Sequence, residues 1–192
     1  MKKIILSLFF VLVCVFSACK MDTEDDKTPQ KEDVVLYSGE ITENMKYEIR
    51  YKKEVNDGIS SEVVNYIITE TTSGEKMGIA VNKTGTSQVN SVYKFGIMGG
   101  RKTESFPNLY WDSYIISLGQ DTMLMDYALA TPATEGEYQV YVIAGGISHS
   151  KLQQLKAATL ITVELKNTND SDRNTSIPVH PNFQRALLSK MP

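Results

Sequence analysis

Residues 45–52, "MKYEIRYK", alternate without a break. Met45, Tyr47, Ile49 and Tyr51 are apolar, and Lys46, Glu48, Arg50 and Lys52 are charged. A period of two sends one set to each face of an extended strand, which dictates a sheet with one buried and one solvated face. A helix of the same residues would scatter its apolar groups around every side. The pattern returns in "LITVELK", residues 160–166, with Ile161, Val163 and Leu165 set against Thr162, Glu164 and Lys166. It returns again at Val64, Tyr66 and Ile68, where Ile67 interrupts the alternation.

Further strand-like runs cover residues 34–42, 76–82, 91–98, 113–119, 123–129 and 137–144. Turn signals separate them: "NDG" at 56–58, "SG" at 73–74, "KTG" at 83–85 and "GQD" at 119–121. Many short strands with few helical windows predict a mostly β fold, a single antiparallel β-sandwich. Two short helices are expected. One spans 148–158, capped by Ser148 or Ser150, with Leu152 and Leu155 on one side, and connects two strands. The other spans 181–190, with Pro181 in its first turn and Phe183, Ala186 and Leu187 on one face. The polar stretch 167–176 is expected to be a mobile loop.

The spacing of Gly136, Tyr138 and Val140 is similar to the sixth strand of immunoglobulin-like sandwiches, where a tyrosine bonds back to upstream backbone. That resemblance implies an immunoglobulin-like or related sandwich. Fold alone does not assign an activity.

The N-terminus has a different logic. Lys2 and Lys3 precede a nearly unbroken apolar run from Ile4 to Phe16, followed by Ser17, Ala18 and Cys19. The run is shorter than the roughly 20 residues a membrane-spanning helix needs, and it has the three-part layout of a secretory signal. "FSAC", Phe16 to Cys19, resembles the lipobox of bacterial lipoproteins, with Phe16 where Leu is commoner. The resemblance implies cleavage after Ala18, a diacylglycerol on the Cys19 thiol and acylation of the new amino terminus. Residues 1–18 are thus expected to be a signal peptide, and 19–33 a lipidated cysteine with a disordered acidic tether. The acids Asp22, Glu24, Asp25 and Asp26 resemble the export signal of Bacteroidota-type surface lipoproteins, with Thr23 interrupting the run. Together these resemblances imply a protein on the outer membrane, held by lipid, with its sandwich expected at 34–192.

Cysteine usage agrees with that division. The chain has two cysteines, Cys14 in the segment to be removed and Cys19 taken by lipid. The remaining domain must fold on an ordinary apolar core without disulfides. The chain carries a formal charge of −3, more negative once Lys2 and Lys3 are removed, and shows no basic stripe. Nucleic acid is a poor partner for such a surface.

Motifs for chemistry are sparse. "GIMGGRKT" at 96–103 places Arg101 where a phosphate-binding loop requires its second glycine, and Pro107 follows soon after. His149 and His180 lie in no zinc spacing, and no Gly-x-Ser-x-Gly elbow flanks His149. Glu70, Glu104, Asp112, Asp126 and Glu135 read as solvated strand ends, and "NDSDRN" at 169–174 lacks the glycine of a calcium loop. No metal, cofactor or catalytic set is expected. Asp121, Thr122 and Met123 resemble the O-glycan acceptor of Bacteroidota secreted proteins. "FPNLYWDSY" at 106–114 groups Tyr110, Trp111 and Tyr114, which are expected to form a sugar- or protein-binding surface if they are exposed. The expected activity is a non-catalytic binding or interaction module for a glycan or an envelope protein. The alternatives are an accessory subunit of a cell-envelope assembly and, more remotely, a hydrolase with an acidic site.

Overall fold

The computed structural model describes residues 30–70, 75–86, 91–102, 111–135 and 138–192. Among them the fold is mostly β, with two antiparallel sheets and two short α-helices. The larger sheet contains β1 (Gln30–Thr42), β2 (Met45–Asn56), β3 (Ile59–Glu70), β4 (Glu75–Gly85), β5 (Val92–Lys102), β8 (Tyr127–Glu135) and β9 (Tyr138–Ile147). Its order is β1-β2-β3-β4-β5-β9-β8. The smaller sheet contains β6 (Ser113–Leu118), β7 (Asp121–Met123), β10 (Ile161–Lys166) and β11 (Thr175–Pro178), in the order β11-β10-β6-β7. The helices are α1 (His149–Ala157) and α2 (Asn182–Lys190). This is the expected antiparallel sandwich with a connecting and a C-terminal helix. Its first five strands form a sequential meander in one sheet, the arrangement of a related sandwich rather than the split of immunoglobulin strands between sheets.

The period of two builds the core directly. Tyr47, Ile49 and Tyr51 of β2 stand opposite Ile68, Tyr66 and Val64 of β3. Those residues stand opposite Met77, Ile79 and Val81 of β4, and Ile79 and Val81 meet Ile97 and Phe95 of β5. All of these are buried, and they join Ile116, Ile161, Val163, Leu165 and Ile177 of the smaller sheet in one continuous core. Leu152, Leu155, Phe183, Ala186 and Leu187 of the helices close the same core. At roughly 25 cal/mol for each Å² of apolar surface removed from water, this shared layer is the main source of stability.

Turn chemistry fixes the register. Asp57 and Gly58, between β2 and β3, both have positive φ (50° and 77°), the geometry of a tight hairpin turn. Ser148 caps α1, its hydroxyl accepting from Lys151 N at 3.2 Å. Pro181 precedes α2 with φ −56°, already in the helical region.

Three boundaries differ from those the sequence suggests. β1 begins at Gln30, inside the stretch expected to be tether. Its charges find partners across the strand pair: Lys31 with Glu54 at 3.0 Å, and Asp33 with Lys52 at 3.1 Å and Arg50 at 3.5 Å. Residues 123–129, expected as one strand, are split between sheets. Met123 ends β7, and Asp126 N bonds Gly146 O at 2.8 Å as the chain joins the larger sheet. Finally, 167–176 is an ordered turn leading into β11. Asn167 Oδ1 accepts from Asn169 N and Asp170 N, both at 2.9 Å, and a 3₁₀ turn follows at Ser171–Arg173. A polar sequence orders here because its own amide side chain satisfies the backbone donors.

Candidate functional site

The fold buries Trp111, the centre of the expected aromatic group. Trp111 is 0% exposed, and its indole N–H donates to Arg173 O at 2.7 Å. A Cβ on Gly99 of β5 would stand 2.6 Å from the Trp111 ring and 2.5 Å from Leu165 Cδ1, so the ring occupies the space that glycine leaves. Trp111 is therefore a core residue and offers no face to a ligand, because burying its large ring between sheets outweighs leaving it in water. Tyr114 is half-buried on β6, its hydroxyl accepting from Met125 N at 3.2 Å. Tyr110 lies outside the described residues, as do Cys19, the acids at 22–26, Glu104 and Gly136. The glycine-rich run that resembled a phosphate loop is strand β5 up to Lys102.

The histidines and acids support structure. His149 is engaged at both ring nitrogens, with Gln153 Nε2 3.1 Å from its Nε2 and Tyr93 OH 3.3 Å from its Nδ1. His180 stacks on Tyr47 with ring centroids 4.6 Å apart and accepts from Asn182 N at 3.2 Å. Asp112 accepts from Thr168 N and Oγ1, and Asp126 pairs with Lys151. Among the described residues no group of three or more His, Cys, Asp or Glu is placed to hold a metal ion.

The arrangement that sequence reasoning missed crosses the inner face at one end of the larger sheet. Glu32 stands opposite Lys53, Lys53 opposite Glu62, Glu62 opposite Lys83 and Lys83 opposite Tyr93. Lys53, Glu62 and Lys83 continue the inward-facing sets of β2, β3 and β4 beyond the last apolar residue, next to the "NDG" and "KTG" turns. That continuation is the signal in the sequence that could have revealed it. The two helices border this ladder. Lys190 of α2 pairs with Glu32 at 3.3 Å and stands 4.5 Å over the Tyr51 ring. Burial, then Glu62 and Glu32, push the Tyr51 hydroxyl up to about 12.

Charges in the ladder are only partly balanced. Lys53 reaches Glu62 at 3.7 Å. Lys156, in the last turn of α1, is 7% exposed, and burial together with the charge of Lys83 lowers its pKa from the usual lysine value. Neither Lys83 nor Lys156 has a carboxylate within ion-pair distance among the described residues. Asp57, in the adjacent turn, is exposed and unpaired by the same measure. The same end carries two exposed apolar side chains, Ile59 at 51% and Val92 at 55%. It is also where β1 begins, since Gln30 stands opposite Val55 beside the β2–β3 turn.

No family model, curated protein or solved structure matches the chain.

Proposed function

We propose that this chain is a lipid-anchored protein of the bacterial outer membrane whose sandwich is a non-catalytic binding or interaction module. The observation that carries the reading is Cys19 at the end of an apolar run, with the first strand of a folded domain beginning eleven residues later at Gln30. Two acyl chains on such a cysteine would hold the protein essentially permanently, since each buried methylene contributes about 0.8 kcal/mol. The binding reading is further supported by the engagement of His149, His180, Asp112 and Asp126 in structural bonds. Buried Trp111 removes the tryptophan from the expected sugar platform, so a ligand surface must be sought elsewhere on the domain.

The test is metabolic labelling of producing cells with a clickable palmitate analogue. The native chain should take up label and fractionate with outer membrane, and Cys19→Ala should lose the label. Label retained by Cys19→Ala would overturn the anchor.

A further inference from the structure

The outer face of the larger sheet divides in two. On β2 it carries Lys46, Glu48, Arg50, Lys52 and Glu54, all partly or fully exposed. On the central strands it is covered, since Val63, Ala80, Met98, Val140 and Val142 are between 1% and 7% exposed. The registers put all five on that face: Val63 opposite Lys52, Ala80 opposite Gly96, Met98 opposite Gly78 and Val142, and Val140 opposite Gly100. Met98, Val140 and Val142 form a cluster apart from the main core. Neighbouring strands cannot supply the cover, because glycines stand beside these side chains at 78, 96 and 100. No described element supplies it either, since the helices and the smaller sheet join the core on the inner face through Leu152, Phe183 and Val163.

We propose that the apolar run Ile4–Phe16 docks on this face before processing, and that its removal leaves the anchored domain with an apolar interaction surface. The uncovering rests on the lipoprotein reading above, whereas the docking does not. Length selects this segment. The covered residues fall in four successive rows, from Val63 to Val140, which at about 3.3 Å per residue span about 20 Å. The run has thirteen residues and measures about 20 Å as a helix. The connections 71–74, 87–90 and 136–137 are too short for this, and 103–110 must return to Trp111, which packs against Gly99 on the inner face. Residues 17–29 reach about 45 Å when extended, while the sheet from β1 to β9 is about 24 Å wide. The cover also suits release. Asn65 Oδ1 is buried on the same face without a hydrogen-bond partner, a cost that ends when the run leaves and water enters.

The experiment uses the full chain with Cys19→Ala, which blocks the expected processing and leaves Cys14, inside the run, as the native thiol. A second cysteine is introduced singly by Val63→Cys, Ala80→Cys, Met98→Cys or Val140→Cys, one for each row. Under mild oxidation Cys14 should form an intramolecular disulfide with the new thiol at one or two adjacent rows. Glu164→Cys, on the solvent side of the smaller sheet, is the control and should form none. No disulfide at any of the four rows, or an equal yield at residue 164, would overturn the proposal. A second measurement leaves the covered face intact, in case a cysteine there prevents folding. Phe10→Asp with Val13→Asp places charges in the run, and peroxide oxidation of Met98 should then accelerate about tenfold. Met77, on the inner face and 2% exposed, should stay slow in both chains. Met98 oxidised at one rate in both chains, fast or slow, would also overturn the proposal, the slow rate pointing to cover by another segment. The palmitate label reports the anchor separately: label lost by Cys19→Ala together with no disulfide refutes the docking alone.

Discussion

Trp111 and Arg173 are joined by a 2.7 Å hydrogen bond from the indole N–H to the backbone carbonyl, across 62 residues of chain. That bond fixes the ring over Gly99, where β5 has no side chain. A methyl group at residue 99 would have to displace both the ring and Leu165. Gly99→Ala is therefore expected to destabilise the protein by about 1–3 kcal/mol, measured by chemical unfolding. The native tryptophan should emit at short wavelength and resist iodide quenching, and it should be indifferent to a panel of glycans.

Tyr66 secures the C-terminal segment. Its hydroxyl donates to Pro178 O at 2.5 Å and accepts from His180 N at 3.3 Å, and its ring packs 5.8 Å from Phe183. Tyr66→Phe keeps the packing and leaves both backbone groups short of a partner, for an expected loss of about 1–3 kcal/mol. Burial raises the pKa of the Tyr66 hydroxyl well above the ordinary tyrosine value of 10.0, and that of Tyr51 to about 12. Above pH 10 the folded chain thus holds protons that the unfolded chain releases, so stability falls as pH rises from 10 through the folded values. Unfolding midpoints measured against pH should show this decline, and Tyr66→Phe should flatten it.

Asp112 holds the 167–176 turn from the far side. It accepts from Thr168 N at 3.0 Å and from Thr168 Oγ1 at 2.7 Å. Asp112→Ala should cost about 1–2 kcal/mol and raise amide exchange in 168–174 while sparing β4 and β5. Unchanged exchange in that turn would show that its order does not depend on Asp112.

Lys156 works in the opposite sense from the tyrosines. Burial first, then Lys83, lowers its pKa from 10.5, so the unfolded chain holds the extra proton between the folded value and 10.5. Stability therefore rises with pH across that window, and below it the full cost of burying the charge is present. Lys156→Met retains the stem and removes the charge. It is expected to stabilise the protein at neutral pH by about 0.5–1 kcal/mol and to abolish the rise, as read from unfolding at several pH values.

Local pattern carried much of the architecture. The alternation at 45–52 marks the inward residues Tyr47, Ile49 and Tyr51, and "NDG" marks the turn that Asp57 and Gly58 form. Ser148 and Pro181 signal the helix starts at which α1 and α2 begin. These features depend on residues a few positions apart, so they are legible in one dimension. The start of β1 was not, because Lys31 and Asp33 look like tether until Glu54, Lys52 and Arg50 are brought beside them. The order in 167–176 depends partly on Asp112 and Trp111, more than 50 residues away.

The sequence by itself determined a signal-like N-terminus with a cysteine at its end, a β-rich domain and the faces of its strands, because all of these follow from composition and short-range periodicity. Only the tertiary structure decided that Trp111 is core, since burial is a property of what packs around a side chain. Likewise, only the pairing of five strands set Glu32, Lys53, Glu62, Lys83 and Tyr93 in one row. Electrostatic surroundings are made by neighbours in space, and in this chain those neighbours are far apart in sequence.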